Sequence, residues 1–199
     1  MNIEQRVYDA VDAAWVADRA AELVSVPSVT MNEQAVCVLF EEMMRSLGLD
    51  VLARPITPGR NNLYARIPGS GGGPTLLFNG HLDTIPQGAC GPMRREEGRI
   101  YGRGSTDMKG GMAAMLGAAK ALVDSGMQTR GDVWLTAVVG HEETEAQKDG
   151  PRALVSDLRD GVLNCDRILI VEGRDALWVM SMGSMVFTIR LTSPLGGRH

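Results

Sequence analysis

Four short strand-like runs in this chain, three of them apolar, each lead into a histidine or a carboxylate, and that recurrence constrains the fold more than any other feature of its 199 residues. Residues 75–78 lead into Asn79-Gly80-His81-Leu82-Asp83. Residues 99–103 lead through Gly104 to Asp107, residues 132–139 end on Gly140-His141-Glu142-Glu143, and residues 167–171 end on Glu172. The runs at 132–139 and 167–171 are continuously apolar, as strands covered on both faces require. Residues 7–24, 32–47 and 108–123 carry apolar positions at helical spacing. Met112, Met115, Leu116, Ala119 and Leu122 form one face of the third, and a further helix is expected near 151–158. Residues 51–53 and 62–67 read as two more strands. Strands alternating with helices predict an α/β fold, a mainly parallel sheet with flanking helices, whose strand ends deliver the polar residues to one edge.

From Leu177 onward the pattern changes to strand after strand. Residues 177–180 and 185–192 suit a half-buried antiparallel sheet, so a second unit is expected and the chain divides into 1–178 and 179–199. An independent core needs roughly 40 residues when no staple is present. The second unit therefore reads as only begun, and the chain as cut short.

Composition excludes several classes of partner. The net charge of -4 and pI near 5.4, with Lys and Arg scattered, offer no basic surface for nucleic acid or an anionic membrane. Small soluble ligands fit better. Cys37, Cys90 and Cys165 are odd in number, far apart and without a C-x-x-C pair, so neither a disulfide framework nor a thiolate zinc site is indicated. The N-terminal segment is amphipathic and charged, and no stretch approaches a membrane span, which together lead us to expect a cytoplasmic protein.

The chemistry-bearing residues fall in the four loops. In extended backbone His81 and Asp83 share a face, an arrangement suited to a metal-ligating imidazole whose second nitrogen is held by a carboxylate. Asp107 sits where a helix N-cap is common. Gly102-x-Gly104 before a helix also partly resembles a nucleotide loop, but Asp107 would set a negative charge where a phosphate should lie. Glu142 and Glu143 can divide the work of proton shuttle and ligand, and His141 is a further candidate ligand whose side chain should point away from at least one neighbour. With Glu172, these donors are imidazole and carboxylate without thiolate, a set suited to zinc, cobalt or manganese in a catalytic site.

Taken together, NGHLDTIP, YGRGSTDMKGGMAAML and the following Glu-Glu resemble the cocatalytic zinc metallohydrolases that include N-acetylornithine deacetylase, succinyl-diaminopimelate desuccinylase, aminoacylase and carboxypeptidase G. The resemblance implies a hydrolase acting on the amide bond of N-acyl amino acids, or a dipeptidase or carboxypeptidase, with two zinc ions per complete site and a homodimer at full length. By it, His81 ligates the first metal with Asp83 orienting its ring, and Asp107 bridges both metals, often with a cis peptide following. Glu142 is the general base, Glu143 binds the second metal and Glu172 completes the first. The family usually continues with Pro and a hydroxyl residue after that acid, whereas this chain has Gly173-Arg174-Asp175, which leaves Asp175 as a substitute ligand. His199 resembles the histidine of an α+β lid and dimerisation domain that polarises the substrate carbonyl. A last histidine ligand would follow beyond His199, so the chain alone is expected to be inactive. A metal-free binding module on the same fold is the alternative from a different class.

Overall fold

A computed structural model describes residues 3–173 of the chain. The strands predicted at 177–180 and 185–192, the second unit from 179, Asp175 and His199 lie outside the described residues.

Three helices open the chain: α1 (Ile3–Asp9), α2 (Ala13–Ser25) and α3 (Gln34–Ser46). The apolar period at 7–24 suggests one helix, but Asp12 interrupts it by accepting a hydrogen bond from the Trp15 N–H (2.9 Å) as the N-cap of α2. The strands β1 (Val51–Thr57) and β2 (Arg60–Ile67) form an antiparallel hairpin. β1 runs four residues further than its apolar pattern, with Pro55 at a register shift, a substitution that an edge strand tolerates. After β3 (Leu76–His81) comes the small hairpin β4 (Arg94–Glu96) and β5 (Arg99–Tyr101). β4 is fully exposed and polar, so it carries no apolar signal to detect. α4 (Gly110–Ser125), β6 (Val133–Val138), α5 (Asp149–Arg159) and β7 (Arg167–Ile170) complete the order.

The main sheet runs β1-β2-β6-β3-β7. β3 pairs in parallel with both β6 and β7, so the three strands expected to bear site residues are side by side and point the same way, while β1 and β2 add antiparallel pairs at one side. Strand alternation sorts the two faces. Leu63 and Ala65 of β2 with Val133, Leu135 and Ala137 of β6 meet α2, α3 and α4 in the large core, and Tyr64, Trp134 and Val138 face α5 and Leu163 in a smaller one. One expectation is corrected here: 167–171 is not a strand covered on both sides among the described residues. β7 is the sheet edge, with Ile168 and Ile170 about half exposed. No helix among the described residues is long and apolar enough to cross a membrane.

Where α4 passes the end of β7, its backbone must come close. A Cβ on Gly111 would fall on the Val171 carbonyl oxygen. An exposed helical Gly→Ala change ordinarily stabilises by about 0.5–1 kcal/mol. Gly111→Ala is expected to do the reverse, losing about 1–3 kcal/mol through overpacking against backbone that cannot rotate away. A urea melt at unchanged or higher midpoint would refute that.

Candidate metal centre

His81 is the last residue of β3 and is buried. Its Nδ1 lies 2.8 Å from the backbone carbonyl of Asp83. A carbonyl can only accept, so Nδ1 carries the hydrogen and Nε2 is the atom turned toward the cleft. There Nε2 stands 3.0 Å from Asp107 Oδ1 and 3.3 Å from Glu142 Oε1. Burial alone would depress the imidazole, but the Asp107 and Asp83 carboxylates outweigh it and push His81 up to about 10. The pocket therefore gathers carboxylates around one nitrogen, an environment that favours a cation there.

Asp83 reaches His81 differently from the sequence reading. Its carboxylate is 3.6 Å from Nδ1, beyond a hydrogen bond, and the ring is oriented by the Asp83 main chain instead. The carboxylate is fully buried and accepts from the Thr30 hydroxyl (2.7 Å), the His141 N–H (3.0 Å) and the Glu142 N–H (2.8 Å). Burial opposes its ionisation, yet His81 and these donors hold it well below the usual carboxylate range. Asp83 thus ties the loop after β6 to the end of β3.

Asp107 lies in a tight turn, Ser105–Lys109, at non-helical backbone angles, and the Asp107-Met108 peptide is cis. It is not the N-cap of α4, a place taken by Lys109 with no side-chain cap bond. The hydrogen bond to His81 holds its carboxyl below the ordinary value. Lys109 is a positioning residue that sequence reasoning missed: its buried ammonium donates to Val26 O (2.7 Å), fastening the turn to the end of α2. Burial lowers that ammonium to about 8.

The loop after β6 turns at Gly140, whose φ of 65° favours glycine and whose N–H donates to Glu33 Oε1 (3.0 Å). It brings the His141 ring onto that of His81, centroids 4.4 Å apart and planes 19° apart. Burial, then the positive charge of His81, lower His141. Among the described residues, two groups of donor atoms lie mutually within 4.8 Å: His81, Asp107 and Glu172, and His81, His141 and Glu142. Glu143 belongs to neither; its N–H donates to Thr30 Oγ1 (3.3 Å). A cleft of about 250 Å³, walled by Ile85, Cys90 and Arg103, opens over Asp107 and Glu142. The donors, one or two imidazoles with carboxylates and no thiolate, fit a divalent transition ion.

A charge-rich cation site at the C-terminal ends of parallel strands defines the class, a metal-binding α/β domain. Residues 77–189, more than half of the chain, match Peptidase family M20/M25/M40, and the chain belongs to that family. Among curated relatives, succinyl-diaminopimelate desuccinylase of Gluconacetobacter diazotrophicus is 39% identical over 136 residues, covering 64% of this chain and 34% of that protein. The chain thus spans about a third of the length of such relatives. Similar solved folds include a tripeptidase from Staphylococcus aureus (TM-score 0.68, 24% identity, 82% of this chain and 44% of that one). Human carnosine dipeptidase 1 is another (TM-score 0.70, 22% identity, 90% and 42%).

Proposed function

We infer that this chain is part of a zinc-dependent hydrolase that cleaves the amide bond of N-acyl amino acids. The observation that carries the reading is the meeting of His81, Asp107 and Glu172 within 4.8 Å at the ends of two parallel strands and an adjoining turn, with Glu142 3.3 Å from the His81 nitrogen. The relative named as a desuccinylase supports an N-succinyl amino acid before an N-acetyl one.

Zinc, when bound, supplies Lewis acidity that lowers the pKa of a water and stabilises a developing oxyanion. His81, Asp107 and Glu172 would hold the first ion. Asp107 would bridge to a second, held also by Glu143 and by a ligand beyond this chain. Glu142, facing the cleft, accepts the proton of the attacking water. Asp83 keeps Nδ1 of His81 engaged through its main chain and fixes the Glu142 backbone through its carboxylate. His199 polarises the scissile carbonyl. We assign 1–178 to the catalytic domain and 179–199 to the start of a lid that also forms a homodimer, in a cytoplasmic enzyme.

The test measures zinc by mass spectrometry and turnover of N-succinyl-diaminopimelate and N-acetylornithine, for this chain and for one extended to the length of its relatives. About one zinc without turnover is expected in the short chain, and two with turnover in the extended one, by ligand count. Two zincs and full turnover in the short chain would overturn the ligand assignment. An absence of zinc in both would favour a binding module.

A further inference from the structure

The turn that carries Glu142 and Glu143 is pinned at three successive backbone N–H groups. Those of His141 and Glu142 donate to the buried Asp83 carboxylate at 3.0 and 2.8 Å. That of Glu143 donates instead to the Thr30 hydroxyl at 3.3 Å, and this hydroxyl donates to Asp83 Oδ2 at 2.7 Å. A hydroxyl carries one hydrogen and an amide N–H cannot accept, so the Thr30 hydrogen goes to Asp83 and its lone pair to Glu143. Thr30 thereby extends the reach of the carboxylate by one residue along the turn. It is itself held from behind. Thr30 is 7% exposed and lies between α2 and α3, where Val29 and Thr84 form an isolated parallel bridge. Its N–H donates to Thr84 O (3.1 Å), the Thr84 N–H donates to Ser28 O (2.8 Å), and Ser28 Oγ donates to Leu82 O (2.8 Å).

We propose that Thr30 is a positioning residue for Glu143: its hydroxyl fixes the main chain from which that carboxylate leaves the turn, and so supports the second ion. The inference rests on the reading above that gives Glu143 to that ion. Loss of the hydroxyl should touch the second ion and spare the first. Asp83 would keep the His141 and Glu142 donors, His81 is oriented by the Asp83 main-chain carbonyl, and the main-chain bond from Thr30 to Thr84 would remain. A general loosening of the site would weaken both ions alike, so the two effects are separable.

The test needs no turnover. Stepwise zinc affinities are measured by chelator competition for the chain extended to the length of its relatives, as parent, Thr30→Val, Thr30→Ser and Glu143→Ala. Thr30→Val nearly keeps the shape and loses the hydroxyl. It is expected to weaken the second ion ~10- to 100-fold, the usual effect of losing a group that orients a ligand, with the first ion within a few-fold of the parent. Thr30→Ser keeps the hydroxyl and should hold the second ion within a few-fold of the parent. No weakening in Thr30→Val, equal weakening of both ions, or a serine variant as weak as the valine one overturns the proposal. Glu143→Ala separates this from the ligand assignment. If it loses the second ion while Thr30→Val keeps it, only the role of Thr30 falls. If it keeps both ions, or the parent holds only one, the assignment of Glu143 falls and the role of Thr30 with it. Should Thr30→Val fail to fold, amide hydrogen exchange of the unaltered chain decides. The Glu143 N–H must exchange about as slowly as those of His141 and Glu142; exchange at the rate of an open turn refutes the proposal.

Discussion

Arg60→Met is expected to destabilise the chain by about 3–5 kcal/mol, the cost of breaking a buried ion pair on one side. The Arg60 side chain is 4% exposed and sits between two carboxylates. Nε donates to Glu33 Oε2 at 2.8 Å and Nη2 to Glu33 Oε1 at 3.2 Å, while Nη1 and Nη2 donate to Asp149 at 2.6 and 3.1 Å. Burial would loosen its proton, but Asp149 and Glu33 outweigh burial and hold the guanidinium charged far above its ordinary range. Without Arg60, Glu33 is left as a fully buried anion that accepts from the Gly140 N–H alone among the described residues. The arginine is therefore worth more by its absence than by the net strength of the pair. A buried pair replaced on both sides by uncharged groups is often near neutral, so Arg60→Met with Glu33→Gln should recover a large part of the loss. Because Glu33 also anchors the turn before His141 and Glu142, the single variant should weaken zinc binding as well. Urea midpoints of the parent, the single and the double variant check this. A single variant within about 1 kcal/mol of the parent would show that water relaxes the site.

That network marks the limit of what the sequence discloses. The strands ending at His81 and before Glu142 and Glu172 are readable because each ends an apolar run, and the period of a strand survives translation into three dimensions. Arg60, Glu33 and Asp149 are separated by 27 and 89 residues and meet only because β2, the start of α3 and the start of α5 converge. No local pattern announces that. The Asp83 side chain is hard to read for a different reason. The two-residue alternation that puts it on the face of His81 holds inside a strand, but β3 stops at His81, and past that point the side chain turns to Thr30 and the loop after β6. Glu143 and Glu142 are neighbours in a turn, where adjacency carries no information about direction, and only Glu142 faces His81. β7 has the apolar composition of a central strand, yet its position depends on pairing order, and among the described residues it is an edge.

Asp83→Asn is expected to weaken zinc binding by ~10- to 100-fold, the usual effect of removing a group that orients metal ligands. One carboxylate oxygen serves the His141 N–H and the other serves both the Glu142 N–H and Thr30. Asparagine keeps one acceptor and turns an NH2 toward at least one backbone donor, so about 1.5–3 kcal/mol of stability should be lost as well. The pH dependence separates this electrostatic role from simple packing. His81 in the metal-free chain is raised from 6.5 to about 10, so its charged form stabilises the fold fully below 6.5, and that contribution disappears as pH rises toward 10. Asp83 is depressed below 3.8, so its own contribution is present above that value and fades only in stronger acid. Between these limits both act. Chelator-treated parent chain should therefore lose stability from pH 6.5 to 10. Asp83→Asn, with one of the carboxylates around the imidazolium removed, should lose less over the same range. Tyr64 and Lys109 also titrate anomalously at alkaline pH, but Asp83 is no cause of their shifts and they cancel in the difference; Cys37, raised chiefly by burial and least by Asp83, nearly does. Urea melts at half-unit steps across that window give the two slopes. Parallel slopes would mean that His81 is held by the carboxylates at its Nε2, Asp107 and Glu142, and that Asp83 acts only through the loop it fastens.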